Sequence, residues 1–414
     1  MENKDTIYIP RQIEKTIVEL AKQFPAVVLT GPRQSGKSTL LLNLFGKTHK
    51  IISFDDPLVR ERAISDPKFF LEGISDDIIF DEIQYVPEIL PYLKIAIDKE
   101  RQRRGRFILT GSCQFNLIKN LTETLAGRIG ILVLLPFTKG EKELIPNIKS
   151  RLITSQDHFI HSCLFGSFPE VSIHTGINPV NWYAGYVSTY LERDIRTLYN
   201  IGSLREFQRF LQLLASRCSS ILNLSSLSND LGVSVNTVKK WVSVLEASHI
   251  IFLLPPYYQN IGKRITKSPK IYFLECGFIC YLTGLKDEEH LLKGPLAGAL
   301  FENYCIQETV KFFLNQGLKP NIFYLRTHNG LEIDLIIEKE MTLYPIEFKM
   351  TKTLNLGMKR PIERFKRLFS KLKIAQGRII SLSDEEWTPL SKDVVGQNID
   401  EYLKELNQTL NILH

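Results

Sequence analysis

The chain has 414 residues, of which 44% are hydrophobic and 23% charged, and its formal net charge is +7. This composition is ordinary for globular proteins and excludes a wholly disordered chain, while the length predicts more than one domain. The amino terminus has no apolar core of a signal peptide, and the longest apolar runs are far shorter than the ~20 residues of a membrane span. We therefore expect a cytoplasmic protein with no membrane partner, whose six scattered cysteines are reduced thiols.

The first predicted element is a short apolar strand that leads into a Gly-rich segment, residues 31–38, and then into an apolar helix. The segment fits the pattern GxxxxGKS, whose backbone amides surround a phosphate at a helix amino terminus. In such a loop Lys37 reaches the outer phosphates of ATP and acts in catalysis, and Ser38 ligates Mg²⁺. The predicted ATP-binding residues are Gly31, Pro32, Arg33, Gln34, Ser35, Gly36, Lys37, Ser38 and Thr39.

A later apolar strand, in "DDIIFDEIQ", ends in two acidic residues, Asp81 and Glu82. Parallel strands present their carboxyl ends at the edge of the sheet where nucleotides bind. We therefore expect Asp81 to hold Mg²⁺ and Glu82 to polarise the attacking water.

The next strand, "RFILTGS", has a polar end, which makes Ser112 or Thr110 a candidate sensor of the γ-phosphate. Ser and Thr also commonly end strands and cap the next element, so a structural role stays open. Arg128, in "LAGR", has two interpretations. It either reaches the ATP of a neighbouring subunit in a homo-oligomer, where it would act in catalysis, or it forms a surface salt bridge.

The motifs "GPRQSGKST", "ISFDDP", "IIFDEIQ", "ILTGS" and "LAGR" follow one another in this order. Over about 150 residues the chain thereby resembles the P-loop ATPases of the AAA+ class that carry a carboxy-terminal half of unknown function. The resemblance implies an ATPase core that uses ATP and Mg²⁺. It also draws attention to Asp56, which is expected either to lie near the nucleotide or to shape a turn.

The middle of the chain contains "FGSFPE" and "YVSTYLERDIRTLYNIGS", which resemble the start of the carboxy-terminal half of the same family. A helical stripe of Tyr190, Asp194 and Leu198 is predicted there, with flanking charges that form an interdomain contact or a solvated face. The later segment "PKIYFLECGF" again resembles the family, although Glu275 stands where an aspartate is more usual.

A helix-turn-helix is predicted between these segments, with the second helix beginning near Asn236 behind Ser234 as its N-cap. Helical spacing buries one face of that helix, formed by Val238, Trp241, Val242 and Leu245. The more exposed face carries Asn236, Thr237, Lys239, Lys240 and Ser243. Two short strands follow and predict a winged helix, whose wing carries Lys263, Arg264, Lys267 and Lys270. Such a domain binds DNA or packs against protein, and the sequence leaves both open.

The last part of the chain begins with an amphipathic helix that carries Glu302 and continues into alternating strands. If "LEIDLIIE" and "LYPIEFKM" form a hairpin that turns between Glu340 and Met341, Asp334 lies opposite Glu347. Lys349 is two residues from Glu347 and points to the same face.

These side chains suit metal-dependent chemistry on a phosphodiester. Asp334, Glu347 and Glu302 would hold Mg²⁺, and Lys349 would orient the water or steady the developing charge. The arrangement is that of the PD-(D/E)xK nuclease-like fold, which the family resemblance also implies. A site that binds metal without cleaving, and a scaffold that binds none, are the alternatives. The basic segment "KRPIERFKRLFSKLKIAQGR" would follow a nucleic-acid backbone or form a solvated surface helix.

The predicted fold is α/β, in three parts. Residues 1–150 form a P-loop parallel-sheet ATPase domain, residues 151–290 a helical connector with a winged helix, and residues 291–414 a nuclease-like α/β domain. The predicted function is ATP binding and hydrolysis by an AAA+ class protein that acts on or binds DNA. The alternatives are an ATP-regulated metal-dependent nuclease and an ATP-dependent DNA-binding switch without cleavage.

Overall fold

The amino-terminal domain is built on a parallel sheet. The structure, a computed structural model, describes residues 7–111, 123–189, 204–258 and 267–410. The strands of the first sheet are β1 (Ala26–Thr30), β2 (Lys50–Ser53), β3 (Ile78–Asp81), β4 (Phe107–Thr110) and β5 (Ile129–Val133). They pair in the order β2, β3, β4, β1, β5, and every pair is parallel. This order places the ends of β1 and β3 on either side of the end of β4.

Helices cover both faces of this sheet. They are α1 (Glu14–Gln23), α2 (Lys37–Phe45), α3 (Pro57–Ser65), α4 (Pro67–Glu72) and α5 (Leu90–Lys99), with 3₁₀ turns at Ile83–Tyr85 and Pro87–Ile89. Val27 belongs to a hydrophobic cluster with α1 and α2, whereas Val28 belongs to one with α5. Because both faces are covered, β1 is buried along its whole length, which explains its uninterrupted apolar sequence.

The middle of the chain is mainly helical. Its elements are α6 (Lys139–Lys142), α7 (Pro146–Lys149), α8 (Ser155–Leu164), α9 (Pro169–Ile173), α10 (Pro179–Tyr186), α11 (Leu204–Ser216), α12 (Leu224–Leu231), α13 (Val235–Ala247), β6 (Ile251–Leu254), β7 (Lys270–Phe273), α14 (Cys276–Thr283) and α15 (Glu288–Lys293). Strands β6 and β7 form an antiparallel pair of their own. Across the described ranges, no helix combines the length and the apolar character needed to cross a membrane.

The predicted helix-turn-helix is present as α12 and α13, joined through Gly232 in a left-handed conformation at φ 70°. The hydroxyl of Ser234 accepts a hydrogen bond from the N–H of Thr237, so Ser234 is the N-cap of α13. The predicted apolar face of α13 is buried, and Lys239 and Lys240 are exposed. The predicted stripe at Tyr190, Asp194 and Leu198 lies outside the described residues, as do Ser112, Lys263 and Arg264.

The carboxy-terminal domain contains a mixed sheet. Its elements are α16 (Ala297–Asn315), β8 (Ile322–Arg326), β9 (Glu332–Lys339), β10 (Thr342–Lys349), a 3₁₀ turn at Leu356–Lys359, α17 (Arg360–Leu368), β11 (Lys373–Ile374), β12 (Gly377–Ser381), β13 (Trp387–Ser391), β14 (Val394–Asn398) and α18 (Ile399–Leu410). The strand order is β13, β14, β12, β10, β9, β8, with β11 paired to β10.

The predicted hairpin is confirmed in both turn and register. Glu340 and Met341 have φ values of 48° and 60°, as a two-residue turn between twisted strands requires. The pairs run from Thr342 with Lys339 to Ile346 with Leu335. Continued by one residue, this register brings Glu347 opposite Asp334.

Polar contacts join α16 to the amino-terminal domain and to α6. The N–H of Lys139 donates to Glu308 at 2.8 Å, and the hydroxyl of Thr16 donates to the carbonyl of Asn315 at 2.7 Å. Lys311 donates to the carbonyl of Phe137 at 2.8 Å. The helix that carries Glu302 is therefore attached to the domain that carries the P-loop.

Candidate nucleotide site and carboxylate–lysine cluster

The Gly-rich segment forms a tight loop between β1 and α2. Gly31 has a φ of 143°, and a Cβ there would lie 2.1 Å from the carbonyl oxygen of Leu134, so no other residue fits. Gly36, at φ 90°, is the N-cap of α2. The predicted ATP-binding residues 31–39 are this loop and the first turn of the helix, whose N–H groups have no carbonyl partner within the helix. The Nζ of Lys37 donates to the carbonyls of Gly31 and Pro32, at 3.2 and 2.9 Å.

Asp81, at the end of β3, lies beside this loop. The hydroxyl of Ser38 donates to both carboxylate oxygens of Asp81, at 2.9 and 3.1 Å. Thr110 also donates to Asp81 from the end of β4 and accepts the N–H of Glu82 at 3.3 Å. Thr110 therefore holds the two acids in place, and a role as the γ-phosphate sensor stays a prediction for it, as it does for Ser112.

Glu82 has an unusual backbone conformation. Its φ of 57° and ψ of 47° are left-handed, which costs a residue with a Cβ about 1 kcal/mol or more and is common at functional sites. Its carboxylate accepts a hydrogen bond from the amide of Gln84. The conformation turns Glu82 away from the strand direction directly after Asp81.

Arg11, which precedes α1, donates a hydrogen bond to the P-loop. This residue was not predicted, because it lies in a charged segment without a recognisable motif. One guanidinium nitrogen donates to the carbonyl of Ser35 at 2.9 Å and another to the carbonyl of Leu135 at 2.7 Å. The Nε atom lies 3.1 Å from Glu141, and both side chains are almost fully buried. Arg11 thus ties the P-loop to β5 and to α6.

A cavity of about 200 Å³ adjoins the P-loop at Gly36 and Thr39. Its walls come from the amino-terminal segment and from the middle of the chain, and they include Tyr8, Ile9, Phe137, Pro169, Ile173 and His174. The sequence does not predict this wall, although Pro169 belongs to "FGSFPE", a segment that resembles the family. The middle of the chain therefore contributes directly to the surroundings of the loop.

Two further predicted residues do not contact the P-loop. Arg128 lies at the amino end of β5, whereas the P-loop follows the carboxyl end of the neighbouring parallel strand β1. Its guanidinium donates two hydrogen bonds to Asp98, at 2.7 and 2.9 Å. The pair matches the salt-bridge interpretation within one chain, and a role in a neighbouring subunit stays a prediction. Asp56 accepts the N–H groups of Leu58 and Val59 and caps α3, so it shapes a turn.

The predicted carboxy-terminal site residues lie together on β9, β10 and α16. The Nζ of Lys349 is 2.6 Å from Glu347 and 3.6 Å from Asp334. Asp334 accepts the N–H of Phe348 at 3.0 Å, across the hairpin. The other oxygen of Glu347, Oε1, is buried and has no hydrogen-bond partner within the described part of the chain.

A second lysine enters this group from β7. Lys270, which was predicted among the basic residues of the wing, is 3% exposed. Its Nζ lies 3.0 Å from Glu302, 2.9 Å from Glu332 and 4.0 Å from Asp334. The hydroxyl of Tyr272, on the same strand, donates to Glu302 at 2.5 Å. We call the group of Lys270, Tyr272, Glu302, Glu332, Asp334, Glu347 and Lys349 the carboxylate–lysine cluster.

The cluster contains more acids than bases. Four carboxyl groups face two ammonium groups, and the guanidinium of Arg326 lies 4.0 Å from Glu332, so one negative charge is uncompensated when all groups are ionised. Burial, followed by the charge of Asp334, raises the pKa of Glu347 to about 8 and that of Glu302 to about 7. Burial opposes the charge on Lys349, but Asp334 and Glu347 outweigh it and raise the pKa of that lysine.

The donors in this cluster suit a hard divalent cation, because they are carboxylates and one of their buried oxygens lacks a partner. Each of the three predicted ligands, however, contacts a lysine. Over the residues that the structure describes, no three His, Cys, Asp or Glu side chains are grouped so that they could hold a metal ion. The metal site at Glu302, Asp334 and Glu347 therefore stays a prediction.

The basic carboxy-terminal segment forms α17 and the residues after it. Ile362 and Phe365 are buried with Ile336 and Leu343. The exposed side carries Arg360, Arg364, Arg367, Lys371 and Lys373. This surface has the charge that a polyanion requires, but the same charge is common on solvated helices.

Family models match three successive parts of the chain. Residues 23–142 match the AAA domain, residues 156–289 a domain of unknown function (DUF8612), and residues 297–395 another domain of unknown function (DUF4143). Uncharacterized proteins of Mycobacterium tuberculosis (Rv2008c) and Mycobacterium bovis (Mb2031c) are each 29% identical over 381 residues, which is 92% of this chain and 81% of theirs.

Two solved structures are similar over part of the chain. The Walker-type ATPase PABY2304 of Pyrococcus abyssi has a TM-score of 0.47 at 16% identity and covers 67% of this chain and 97% of its own. RuvB of Thermotoga maritima has a TM-score of 0.30 at 19% identity, and the match covers 58% of this chain and 87% of the RuvB chain. Residues 23–142 thus match the AAA domain and have a P-loop fold, and two domains of unknown function follow them in the chain.

Proposed function

We propose that the chain binds ATP with Mg²⁺ at the P-loop and hydrolyses it with Glu82. The observation that carries the proposal is the contact of Ser38 with Asp81, directly before Glu82. A hydroxyl and a carboxylate are the oxygen ligands that suit Mg²⁺, so the two residues present fit this ion. When bound there, Mg²⁺ would neutralise charge on the β- and γ-phosphates.

Residues of the chain itself would bind the nucleotide and polarise the attacking water. The amides of the loop and of the first turn of α2 would bind the phosphates. Lys37 would exchange its bonds to Gly31 and Pro32 for bonds to phosphate oxygens, and Glu82 would polarise the attacking water. The cavity lined by Tyr8, Ile173 and other residues would accept the adenine ring of ATP, because the walls of the cavity are largely apolar. Nucleotide binding would then contact both the AAA domain and the middle of the chain.

Replacing Lys37 with alanine tests the binding step. We expect the affinity for a fluorescent ATP analogue to fall at least about tenfold, because a charge-assisted bond to phosphate is lost. Lys47→Ala, an exposed lysine just after α2, is the matched control and should bind as the wild type does. Equal affinity in all three proteins would contradict nucleotide binding at this loop.

A second proposal is that the carboxy-terminal half binds DNA and that the carboxylate–lysine cluster carries out metal-dependent phosphodiester cleavage. The buried, unpartnered Oε1 of Glu347, beside Lys349, favours it. When bound, Mg²⁺ or Mn²⁺ would activate a water and bind the scissile phosphate. Asp334 and Glu347 would hold the ion, with Glu302 completing the set, and Lys349, one third exposed, would contact the substrate. A winged helix formed by α12, α13 and the β6–β7 pair would bind the DNA backbone through Lys239 and Lys240.

Plasmid nicking tests this second proposal. With Mn²⁺, the wild-type chain should nick supercoiled plasmid, and Asp334→Asn and Lys349→Met should reduce the rate to background. Asp384→Asn, an exposed acid of the same domain, should nick as the wild type does. Nicking that persists in both site variants would contradict cleavage at the cluster. Salt-dependent DNA binding without nicking would favour the non-cleaving switch.

A further inference from the structure

Lys270 belongs to the middle of the chain but contributes its charge to the carboxy-terminal domain. It is the first residue of β7, and its ammonium group lies between Glu302 on α16 and Glu332 on β9. Asp334 is 4.0 Å away. Asp334 therefore has both Lys270 and Lys349 as neighbours.

The β6–β7 pair is fastened to the sheet that carries these acids. The N–H of Tyr257 donates to the carbonyl of Tyr324 at 2.6 Å, and the N–H of Tyr324 donates to the carbonyl of Pro255 at 3.0 Å. The hydroxyl of Tyr324 donates to the carbonyl of Ser268, two residues before Lys270, at 2.6 Å. These bonds hold the residues just after β6 and just before β7 against β8. Lys270 is the first residue of β7, so its position is fixed by these contacts.

Asp334 is contacted by a lysine at each of its carboxylate oxygens. Lys270 lies nearest to Oδ1, and Lys349 lies nearest to Oδ2. A divalent cation at Asp334 would repel a buried ammonium group at this distance strongly, because little water separates the charges. The ion and Lys270 would also compete for the oxygens of Glu302. Among the residues that the structure describes, neither lysine donates a hydrogen bond to the buried Oε1 of Glu347, because Lys349 lies against Oε2 of that residue.

We propose that Lys270 is an internal counter-ion of the carboxylate–lysine cluster, which competes with divalent cations for Glu302 and Asp334 and thereby weakens metal binding there. This inference rests on the second proposed function, in which the cluster binds a metal ion. Because Lys270 lies on β7, whatever moves the β6–β7 pair away from β8 would withdraw the ammonium group and raise the affinity for the ion. Lys270 is thus a positioning residue that acts through the carboxylates.

Neutral variants of Lys270 test the proposal through metal binding alone. Mn²⁺ binding is measured by electron paramagnetic resonance of the free ion, without nucleotide, for the wild type, Lys270→Met and Lys270→Gln. We expect both variants to bind Mn²⁺ at least about tenfold more tightly than the wild type, because a competing positive charge is removed. We also expect Mn²⁺ to raise the melting temperature of each variant more than that of the wild type.

One control tests where Mn²⁺ binds, and a second tests whether the loss of any lysine has the same effect. Asp334→Asn should abolish the Mn²⁺ binding that Lys270→Met strengthens, and Lys319→Met, an exposed lysine before β8, should bind as the wild type does. If Lys270→Met does not fold, Lys270→Gln still answers the question, since its amide can donate to Glu302. Binding that Asp334→Asn removes but that the Lys270 variants leave unchanged or weaken would overturn the counter-ion proposal and leave the metal site standing. No binding in any of these proteins would overturn the metal site and the counter-ion proposal together.

Discussion

Replacing Glu82 with glutamine is expected to reduce ATP hydrolysis at least about 100-fold while leaving ATP binding unchanged. The amide has the size of the carboxylate but cannot draw a proton from water. Glu82 follows Asp81 in a left-handed conformation that its hydrogen bond to Thr110 and its contact with Gln84 help to maintain. Phosphate release and binding of a fluorescent nucleotide, measured on the same preparation, separate the two effects.

Glu88→Gln is the matched control for this variant, because Glu88 is an exposed acid six residues along the chain. It should hydrolyse ATP at the wild-type rate. Wild-type hydrolysis by Glu82→Gln, or an equal loss in both variants, would contradict the role of Glu82 as the residue that polarises water.

Replacing Arg11 with methionine is expected to lower the free energy of unfolding by about 3 kcal/mol or more and to weaken nucleotide binding. Arg11 is 4% exposed and forms an ion pair with Glu141, which is 1% exposed. Removing one partner of a buried ion pair leaves the other charge uncompensated, which typically costs ~3–5 kcal/mol. Two backbone carbonyls, those of Ser35 and Leu135, also lose their donor. Denaturant unfolding gives the stability, and nucleotide titration gives the affinity.

Lys15→Met provides the comparison, because Lys15 lies on the exposed side of α1. This substitution removes one positive charge from the same region of the chain. Its unfolding free energy should stay within about 0.5 kcal/mol of the wild type. An Arg11→Met protein with wild-type stability and wild-type nucleotide affinity would show that the P-loop does not depend on this support.

Local patterns in the sequence predicted the features that depend on one element or on one turn. The spacing in residues 31–38 was sufficient for the P-loop, and apolar periodicity was sufficient for the buried face of α13. The register of β9 and β10 followed from one assumed turn, because strand pairing in a hairpin fixes every later pair.

Contacts between distant elements could not be predicted in this way. The insertion of β4 between β1 and β3 brings Thr110 to Asp81, and strand order is not encoded in any single strand. Arg11 reaches the P-loop only after α1 has packed on the sheet. Lys270 was predicted among the basic residues of the wing because its neighbours in sequence are basic, whereas its neighbours in space are Glu302 and Glu332. The sequence showed the charge of this residue but not its burial.

The most direct test of the central claim is phosphate release from ATP by the purified chain in the presence of Mg²⁺, measured beside Lys37→Ala and Glu82→Gln. The account predicts turnover by the wild type, loss of turnover in both variants, and retained nucleotide binding in Glu82→Gln alone. Turnover that persists in both variants would contradict ATP hydrolysis at the site formed by Lys37, Ser38, Asp81 and Glu82.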